Sequence, residues 1–453
     1  MKPPLPHILC TVVIEMKSLF AATCQMPRFE KLECDTKADV LVIGGGIAGI
    51  LTAHFLKKEG VDVLLVEAER LCGGQTGNTT AKITTLPGFL YADLERRWGR
   101  EGARCYFEVH NIALRAYREL AIEAACDFEN ADFYAYAERN ERALVKELAA
   151  LSYIGAPARF VSRPQLPFET VGAVCMPNQA QFHPLRFLSA LTAGLRICEN
   201  TPVRALFEDG AETVDGKRIR SEYTVVTTHF PFLRYRGGFP LKMYQSRSYV
   251  LALENANAPS DMYADGMRKG LSLRRYGNTL LLGGGGHRTG VSGGGYGELT
   301  KLADQYFKGS RVIGRFAAQD CMTPDRMPYI GQYTKHTERL FVATGFGKWG
   351  MASAMVAAMI NRDLILNRPN PYAWLFSPHR TMPPLPLLKN MGSVLLHYIR
   401  PTAPRCPHLG CALRWNAQER SWDCPCHGSR FTESGELLDA PATKDLDSPK
   451  VKK

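Results

Sequence analysis

Two short boxes of cysteine and histidine near the C-terminus have the residue types and spacing of iron ligands. The first reads CPHLGC over residues 406–411, and the second reads CPCHGS over residues 424–429. Together they offer two thiolates and two imidazoles, which is the ligand set of a [2Fe-2S] cluster with two thiolates on one iron and two imidazoles on the other. The pattern assigns the four ligands as Cys406 and Cys424 on one iron, and His408 and His427 on the other.

The alternative metal for these boxes is zinc, because thiolate and neutral imidazole also suit zinc. Zinc-binding loops favour Cys-x-x-Cys pairs, whereas Cys-x-His and Cys-x-x-His with flanking glycine favour a cluster of the Rieske type. Cys411 and Cys426 remain, one in each box. A disulfide between them would tie the two ligand loops together. A Rieske cluster carries one electron at a time, so the rest of the chain should contain what supplies or takes that electron.

A dinucleotide fingerprint lies near the other end of the chain. An apolar, β-branched run at 39–43 predicts a buried parallel strand, and an amphipathic stretch at 47–59 predicts a helix. A second strand at 62–66 ends in Glu67. Between the first strand and the helix stands G-x-G-x-x-G, formed by Gly44, Gly46 and Gly49.

Each element of this fingerprint has a physical role. Gly44 permits the tight turn, Gly46 lets the backbone approach a pyrophosphate at the helix N-terminus, and Gly49 lets helix and strand pack closely. Glu67 is placed to accept the hydroxyls of an adenosine ribose. Since strand, helix, strand and acid all follow in order, the pattern predicts dinucleotide binding; a glycine-rich turn in an unrelated α/β fold is the alternative.

Two further segments favour FAD over NAD. A loop after Glu67, residues 73–82, is rich in small and hydroxyl side chains, so its backbone can run beside a flavin and offer hydrogen-bond donors. A strand, a glycine cluster and an Ala/Met-rich helix at about 340–366 form another anion-binding helix N-terminus. Val203 is placed to contact the adenine side through its backbone. The cofactor-binding candidates in these segments are Thr76, Thr79, Thr80, Ala81, Lys82, Val203, Gly345, Phe346, Gly347, Gly350 and Met351.

These segments resemble the FAD-dependent amine and amino-acid oxidases of the D-amino-acid oxidase superfamily, which includes the glycine and sarcosine oxidases. They resemble more closely a bacterial subgroup in which such a flavoprotein is fused to a C-terminal Rieske domain. The resemblance is carried by residues 76–82, 181–184, 344–351 and 422–431, and it extends over about 16–447. It implies FAD, bound covalently or non-covalently, and an oxidation whose substrate is open.

The resemblance also suggests catalytic candidates. Tyr249 and Arg247 lie on a strand where amine oxidases bind a substrate carboxylate, with core or surface packing as the alternative. His287 follows four glycines and is expected to face the flavin, although a structural role is the common one for such a histidine. Lys82 and Lys348 end the two flavin-flanking loops, where a cation would stabilise reduced, anionic flavin; surface lysines are the alternative.

Composition limits the remaining possibilities. The chain has 453 residues, 45% of them hydrophobic and 22% charged, which are values of a large globular protein. It contains no apolar run long enough to predict a membrane span. The thirteen cysteines show no pairing rhythm beyond the two boxes, so we expect a cytoplasmic protein. Its net charge of +12 is compatible with an acidic redox partner, and without long Lys/Arg runs it does not favour nucleic acid.

The predicted fold class is α/β: a Rossmann-like FAD domain interleaved with an antiparallel-sheet substrate domain, followed by a small all-β Rieske domain. Residues 1–37 form an N-terminal arm, in which 1–15 look unlike the rest and Met16 is a plausible start. Residues 38–366 form the oxidoreductase, and 367–400 a Pro-rich, extended linker. A minimal Rieske unit occupies 401–447. We assign 38–90, 181–235 and 311–366 to the FAD part, and 91–180 and 236–310 to the substrate part.

Three functions fit this organisation. The first is a flavin dehydrogenase for an amine or amino-acid-like substrate that passes electrons to the Rieske cluster, and then to an unidentified acceptor. The second is an electron-transfer flavo-iron-sulfur protein without its own organic substrate. The third is an oxygen-using amine oxidase in which the cluster is structural.

Overall fold

The computed structural model describes residues 18–232, 236–268, 270–399 and 404–447. Residues 1–15 of the expected N-terminal arm, and the expected start at Met16, lie outside this range. The arm that is described contains α1 (Leu19–Thr23), which Ser18 caps by accepting a hydrogen bond from the backbone N–H of Ala21. Phe20 of this helix is fully buried against the main hydrophobic core.

The first sheet is mostly parallel and is built around β1 (Thr36–Ile43). This strand pairs in parallel with β2 (Val63–Val66) on one side and with β10 (Arg218–Val226) on the other. Apolar residues follow one another in β1 and β2, as expected for strands covered on both faces. The sheet is completed by β7 (Arg196–Cys198), the hairpin β8 (Val203–Phe207) and β9 (Gly210–Thr213), and β16 (Tyr329–Gln332) with β17 (Leu340–Thr344).

Two helices cover the cofactor end of this sheet. The first, α2 (Ile47–Lys58), follows β1, and α8 (Gly350–Ile365) follows β17. They pack against each other, and α8 can approach closely because alanine and methionine fill its buried face. Their N-termini therefore lie at the same edge of the sheet. Nearby, α5 (Pro184–Leu191) contacts α2.

The second sheet is mixed and mainly antiparallel. Its order is β15-β11-β14-β13-β12-β4-β6-β3, with β5 paired to β6. The bounds are β3 (Lys82–Ile83), β4 (Glu129–Ala137), β5 (Arg159–Val161), β6 (Gly172–Gln181), β11 (Tyr244–Glu254), β12 (Met262–Asp265), β13 (Ser272–Tyr276), β14 (Thr279–Arg288) and β15 (Arg311–Met322).

Several helices flank these two sheets. The longest is α3 (Tyr91–Ala124), with a kink at Gly99, where φ is 67°. Its first turn is capped by a residue that is distant in sequence. The buried Glu147 carboxylate accepts hydrogen bonds from the backbone N–H groups of Leu90, Tyr91 and Ala92. The others are α4 (Glu141–Tyr153), α6 (Phe239–Lys242), which follows a 3-10 turn at Arg236–Gly238, α7 (Tyr296–Tyr306) and α9 (Ala373–Phe376).

Two expectations about the chain path are wrong. The FAD part was expected to resume at 311, but β15 pairs along its whole length with β11 and so belongs to the second sheet. The Pro-rich segment was expected to be extended, but it contains α10 (Pro384–Tyr398). Three of its prolines, Pro383, Pro384 and Pro386, fall at the N-cap and in the first turn of this helix, where a missing backbone N–H costs no helical hydrogen bond.

The C-terminal unit is a four-stranded antiparallel sheet with its own small core. Its strands are β18 (Arg414–Asn416), β19 (Ser421–Asp423), β20 (Arg430–Thr432) and β21 (Leu437–Asp439), in that order. The core contains Cys406, Cys411, Cys424, Cys426 and Phe431, and Val394 of α10 packs against it. None of the helices in the described ranges has the length and apolar character needed to cross a membrane.

Candidate active site and cluster-binding loops

The fingerprint glycines have the geometry that the sequence predicts. Gly44 has φ of 111°, in the region that favours glycine, and it makes the turn after β1. A Cβ at Gly49 would clash with the carbonyl oxygen of Gly44, so α2 packs onto the turn only because Gly49 has none. Gly46 is the N-cap of α2 and provides no side-chain cap. The first N–H of the helix, that of Ile47, donates to Oγ1 of Thr76 at 3.1 Å.

Glu67 lies at the end of β2 with its carboxylate turned towards this helix N-terminus. It accepts hydrogen bonds from the backbone N–H groups of Gly45, at 2.6 Å, and Glu69, at 3.0 Å. Burial raises the pKa of this carboxyl, and those hydrogen bonds oppose the shift. Each oxygen keeps a lone pair, so the carboxylate can still accept ribose hydroxyls.

A cavity of about 1110 Å³ opens in front of these residues and runs between the two sheets. The C-terminal unit closes part of it with residues 437–444. The predicted residues that line the cavity are Gly44, Gly46, Glu67, Thr76, Thr79, Thr80, Lys82, Val203, Tyr249, Gly345, Phe346, Gly347, Lys348, Gly350 and Met351. The cavity is therefore large enough for a dinucleotide, and the segments predicted to bind the cofactor border it.

Four residues predicted to bind cofactor or substrate do not line the cavity: Gly49, Ala81, His287 and Arg247, whose contacts are described below. Gly49 lies one layer behind it, where it allows the close packing described above. Ala81 is fully buried, and its carbonyl accepts a hydrogen bond from Nη1 of Arg274 at 3.1 Å. His287 was expected to face the flavin, but it lies outside the cavity wall with Nε2 3.0 Å from the hydroxyl of Tyr249. Ala81 and His287 thus support the loop and the strand beside the cavity.

The N-terminus of α8 borders the same cavity. Trp349 is the N-cap of α8 and gives no side-chain cap, and Gly350 and Met351 border the cavity. The turn that leads there has Gly345, Gly347 and Lys348 at φ of 74°, 56° and 74°. The N-cap residues Gly46 and Trp349 give no side-chain cap, so both helix N-termini at this cavity present backbone N–H groups suited to a ligand that carries phosphates.

Lys82 is a buried cation on the cavity wall. Its Nζ donates to Oγ of Ser272 at 2.6 Å and to Oγ1 of Thr80 at 3.1 Å. Burial and, to a lesser extent, the nearby Arg274 guanidinium lower the pKa of this ammonium to about 7. No carboxylate of the described residues forms a salt bridge with it, so the proton on Lys82 is held weakly.

A second group of charges faces the cavity near α8. Burial lowers the pKa of Lys348, which the Asp320 carboxylate partly offsets, and burial raises the pKa of Asp320. The Arg268 guanidinium donates two hydrogen bonds to backbone carbonyl oxygens. Its Nη2 lies 2.7 Å from the oxygen of Pro87, and its Nη1 lies 3.4 Å from the oxygen of Gly347. All three line the cavity. Asp320 and Arg268 were not predicted, since neither belongs to a local motif.

The residues expected to hold a substrate carboxylate are bonded to the C-terminal unit. Arg247 makes a two-pronged salt bridge with Glu419, with Nε 2.9 Å from Oε2. The hydroxyl of Tyr249 donates to the same carboxylate at 3.1 Å. The pKa of Glu419 is lowered because the hydrogen bond and charge of Arg247 outweigh the opposing effect of burial. A carboxylate of the chain itself therefore lies against Arg247 and Tyr249.

The four predicted cluster ligands lie together in the C-terminal unit. All four are buried, and the imidazole centroids of His408 and His427 are 5.0 Å apart. The thiols of Cys406 and Cys424 share a hydrogen bond, which lowers the pKa of Cys406 to about 7 and raises that of Cys424. Ser429 and the backbone N–H of His408 also donate to Cys406 and favour its thiolate. The donor set is that of a Rieske cluster.

His427 presents one ring nitrogen for a ligand. Its Nε2 lies 3.0 Å from the carbonyl oxygen of Pro240, so the proton is on that nitrogen. The other, Nδ1, is buried and has no hydrogen-bond partner among the described residues. A backbone carbonyl that fixes the tautomer is the usual support of a metal-binding histidine. His427 is thus arranged to bind iron through Nδ1.

Cys411 and Cys426 form the expected disulfide between the two loops. The sulfurs of Cys411, Cys424 and Cys426 all lie within 4.8 Å of one another. That group is not itself a metal site, because a sulfur in a disulfide bond is not a thiolate. The pair instead fixes the spacing of the boxes that carry the four ligands.

The C-terminal unit is joined to the second sheet by buried polar contacts. Nε2 of Gln245 donates to the carbonyl oxygens of His427, at 2.7 Å, and Ala440, at 2.9 Å. Gln319 donates to that of Gly428 at 2.8 Å. A Cβ at Gly428 would lie 2.6 Å from Cβ of Gln245, so the two backbones approach closely there.

One aromatic residue borders both the cavity and the cluster loops. Phe230 is fully buried and lines the cavity. Its ring centroid lies 6.3 Å from that of His408 and 6.2 Å from that of His427. Sequence reasoning missed Phe230, which has no motif around it. Gln245 could have been identified from the sequence, because Gln245, Arg247 and Tyr249 alternate along β11 and so share one face of the strand.

Comparisons with known proteins agree with this architecture. The family model "FAD dependent oxidoreductase" matches residues 39–364, and the model "Rieske [2Fe-2S] domain" matches residues 395–450. The "Putative Rieske 2Fe-2S iron-sulfur protein YhfW" of Bacillus subtilis is 33% identical, with 95% of this chain and 97% of that protein covered. The cytochrome b6-f complex iron-sulfur subunit 1 of a Nostoc species is 49% identical over 41 residues, which are 9% of this chain and 23% of that protein.

Solved structures show the same fold. The glycine oxidase of Geobacillus kaustophilus superposes with a TM-score of 0.64 at 18% identity, over 77% of this chain and all of that one. The L-proline dehydrogenase of P. horikoshii gives 0.62 at 17% identity, over 76% and 98%. The L-amino acid deaminase of Proteus vulgaris gives 0.62 at 16% identity, over 79% and 100%. The chain is therefore a member of the FAD dependent oxidoreductase family that carries a C-terminal Rieske [2Fe-2S] domain.

Proposed function

We propose that this protein oxidises an amine or amino-acid-like substrate with FAD and passes the electrons to the Rieske cluster of its own C-terminal domain. The observation that carries this proposal is the position of Phe230, which borders the cavity and contacts both imidazoles of the cluster loops. The hydrogen bonds of Gln245 link the same regions, because Ala440 lines the cavity and His427 is a cluster ligand. Phe230 and Gln245 therefore lie between the cavity proposed for FAD and the loops proposed for the cluster.

The chain's own residues hold the two groups. Glu67 and the N-termini of α2 and α8 bind the ribose and phosphates of FAD, and Cys406, Cys424, His408 and His427 bind the iron pair. When bound, FAD would accept a hydride from the C–H bond next to the substrate nitrogen, and the [2Fe-2S] cluster would carry one electron at a time. The buried Lys348 and, when it is protonated, Lys82 supply positive charge at the cavity wall, which favours the reduced, anionic form of a flavin.

The substrate class is supported by the fold and by the cavity. The solved relatives described above are named for their action on glycine, L-proline and L-amino acids. Lys348 and Arg268 are cations on the cavity wall that can attract a substrate carboxylate, since Arg247 is occupied by Glu419. Tyr249 borders the cavity, but its hydroxyl donates a hydrogen bond to Glu419 and positions that carboxylate.

The bond between Glu419 and the Arg247–Tyr249 pair favours a second candidate, a flavo-iron-sulfur protein that exchanges electrons with other proteins and has no organic substrate. In that case the C-terminal unit permanently fills the place where a substrate would be anchored.

For either function we place the protein in the cytoplasm. Eight cysteines outside the cluster boxes are free in the described ranges, as is usual in a reducing compartment.

The decisive experiment is anaerobic mixing of the reconstituted protein with a panel of amines and amino acids. Flavin absorbance and the electron paramagnetic resonance signal of the reduced cluster are followed together. The proposal expects one substrate class to bleach the flavin and then reduce the cluster. A flavin that bleaches without cluster reduction would refute the internal transfer. Bleaching by a reduced carrier protein alone would support the second candidate.

A further inference from the structure

The helix α10 has its apolar face turned to solvent. Leu385, Leu388, Leu395, Leu396 and Ile399 are each between 60% and 70% exposed. At 3.6 residues per turn they fall within about 100° of the helix surface. The opposite face carries the buried Asn390, whose Nδ2 donates to the carbonyl oxygen of Leu241 at 2.9 Å. This arrangement is the reverse of the usual one for a surface helix.

The exposed stripe lies beside the cluster loops. The inward face of α10 includes Val394, which packs on the core formed by Cys406, Cys424 and their neighbours. The backbone N–H of Ala412 donates to the carbonyl oxygen of His397 at 3.2 Å. The stripe is therefore separated from the cluster-binding loops by about the 10 Å diameter of one helix. Leu241 of α6, whose carbonyl oxygen accepts the hydrogen bond of Asn390, also has an exposed side chain.

The sequence around the helix has an unusual charge distribution. Residues 364–418 contain no Asp or Glu, but they contain six basic residues: Arg368, Arg380, Lys389, Arg400, Arg405 and Arg414. Of these, Lys389 and Arg405 are exposed, whereas Arg380 is buried against Asp325 and Arg368 pairs with Glu59. Lys389 lies at the edge of the apolar stripe and is exposed. A second copy of the chain is disfavoured as the occupant, since it would bring two such basic surfaces together. An anionic surface that also accepts apolar side chains satisfies both properties.

We propose that α10 docks this protein on the surface of a membrane that contains anionic lipids. The helix lies in the plane of the interface, with its aliphatic stripe among the acyl chains and its basic flanks at the headgroups. It does so without spanning the bilayer. This position holds the cluster-binding loops one helix diameter from the lipid.

The test is co-sedimentation of the purified full-length holoprotein with lipid vesicles. One set is pure phosphatidylcholine, and the other is phosphatidylcholine mixed with phosphatidylglycerol. We expect binding to the anionic vesicles and weaker binding at high salt. The double substitution Leu388→Ser with Leu395→Ser should weaken it about tenfold or more, because two aliphatic side chains leave the interface. Both side chains are exposed, so the fold tolerates the change.

The matched control is Ile122→Ser with Val145→Ser, which removes two aliphatic side chains that are 84% and 55% exposed on α3 and α4. It should bind vesicles like the unaltered protein. The proposal fails if neither vesicle binds, if neutral vesicles bind equally well, or if the α10 double variant binds unchanged. It also fails if light scattering shows a dimer that this variant converts to a monomer, because the occupant is then a second copy. None of these measurements needs turnover, so they are independent of the proposed function.

Discussion

Glu419 of the C-terminal sheet and Arg247 of the large mixed sheet form a buried ion pair, with their side chains 7% and 8% exposed. The sequence places them 172 residues apart. Their bond lies where a flavoprotein of this fold was expected to hold its substrate, and it ties the Rieske unit to the flavin domain.

Glu419→Gln should therefore loosen the C-terminal unit. Removing one charge of a buried pair leaves the other uncompensated, which costs roughly 3–5 kcal/mol. Arg247 would keep only Asp439, at 3.8 Å, as a salt-bridge partner. Urea unfolding followed by tryptophan fluorescence measures the loss, and limited proteolysis shows whether the C-terminal unit is released.

The control for this change is the exposed pair Arg311–Glu254, whose side chains are 73% and 39% exposed. Glu254→Gln should cost less than about 1 kcal/mol, because water screens such pairs. Equal losses for the two substitutions would mean that the Arg247–Glu419 pair does not hold the units together.

Phe230→Leu should slow electron transfer from flavin to cluster severalfold while leaving flavin reduction by substrate unchanged. The substitution removes the ring that contacts both imidazoles and leaves an apolar side chain in its place. Rapid-freeze paramagnetic resonance after anaerobic mixing measures the rate of cluster reduction. The midpoint potentials of flavin and cluster, measured separately, should not move.

Phe239→Leu is the matched control for Phe230→Leu. Both residues are fully buried in the same apolar cluster, but the ring of Phe239 contacts Tyr329 and Tyr333 and not the imidazoles. The two variants should lose similar stability and differ in transfer rate. A Phe230 variant that reduces its cluster at the normal rate would show that the electrons take another route.

Lys82 makes the stability of the flavin-free protein depend on pH. Its pKa falls from 10.5 in the unfolded chain to about 7 in the folded one, mainly through burial. Between these values the unfolded state binds more protons, so stability should rise with pH across this window. Lys82→Met removes the buried charge and should flatten that rise. Urea unfolding at several pH values compares the two proteins, and parallel curves would contradict the assigned shift.

The local features of this chain could be predicted because their determinants are close together in sequence. The fingerprint Gly44 to Gly49 and the two ligand boxes depend on spacing within a few residues, and the structure brings each set together as expected. The Cys411–Cys426 disulfide follows from the same spacing. Short-range geometry of this kind does not depend on how the rest of the chain folds.

The unpredicted features all depend on distant partners. Arg247 and Tyr249 were assigned to the substrate because nothing beside them in sequence points to Glu419. Phe230 stands alone after β10, and only the docked C-terminal unit gives it two imidazole neighbours. The segment at 367–400 was interpreted as extended from its prolines, but Pro384 and Pro386 fall in the first turn of α10, where helices accept them.

The disulfide between Cys411 and Cys426 should stabilise the cluster-binding unit. It closes a loop with a sequence separation of 15 residues, and a closure of this length contributes about 3 kcal/mol by restricting the unfolded chain. Cys411→Ala with Cys426→Ala should therefore lower the stability of the C-terminal unit by that amount and speed the loss of iron to a chelator. Cys34→Ala, at an exposed free cysteine, is the control and should change neither quantity. If the double variant retains iron as long as the unaltered protein, the four ligands and the packing of Phe431 hold the loops without the disulfide.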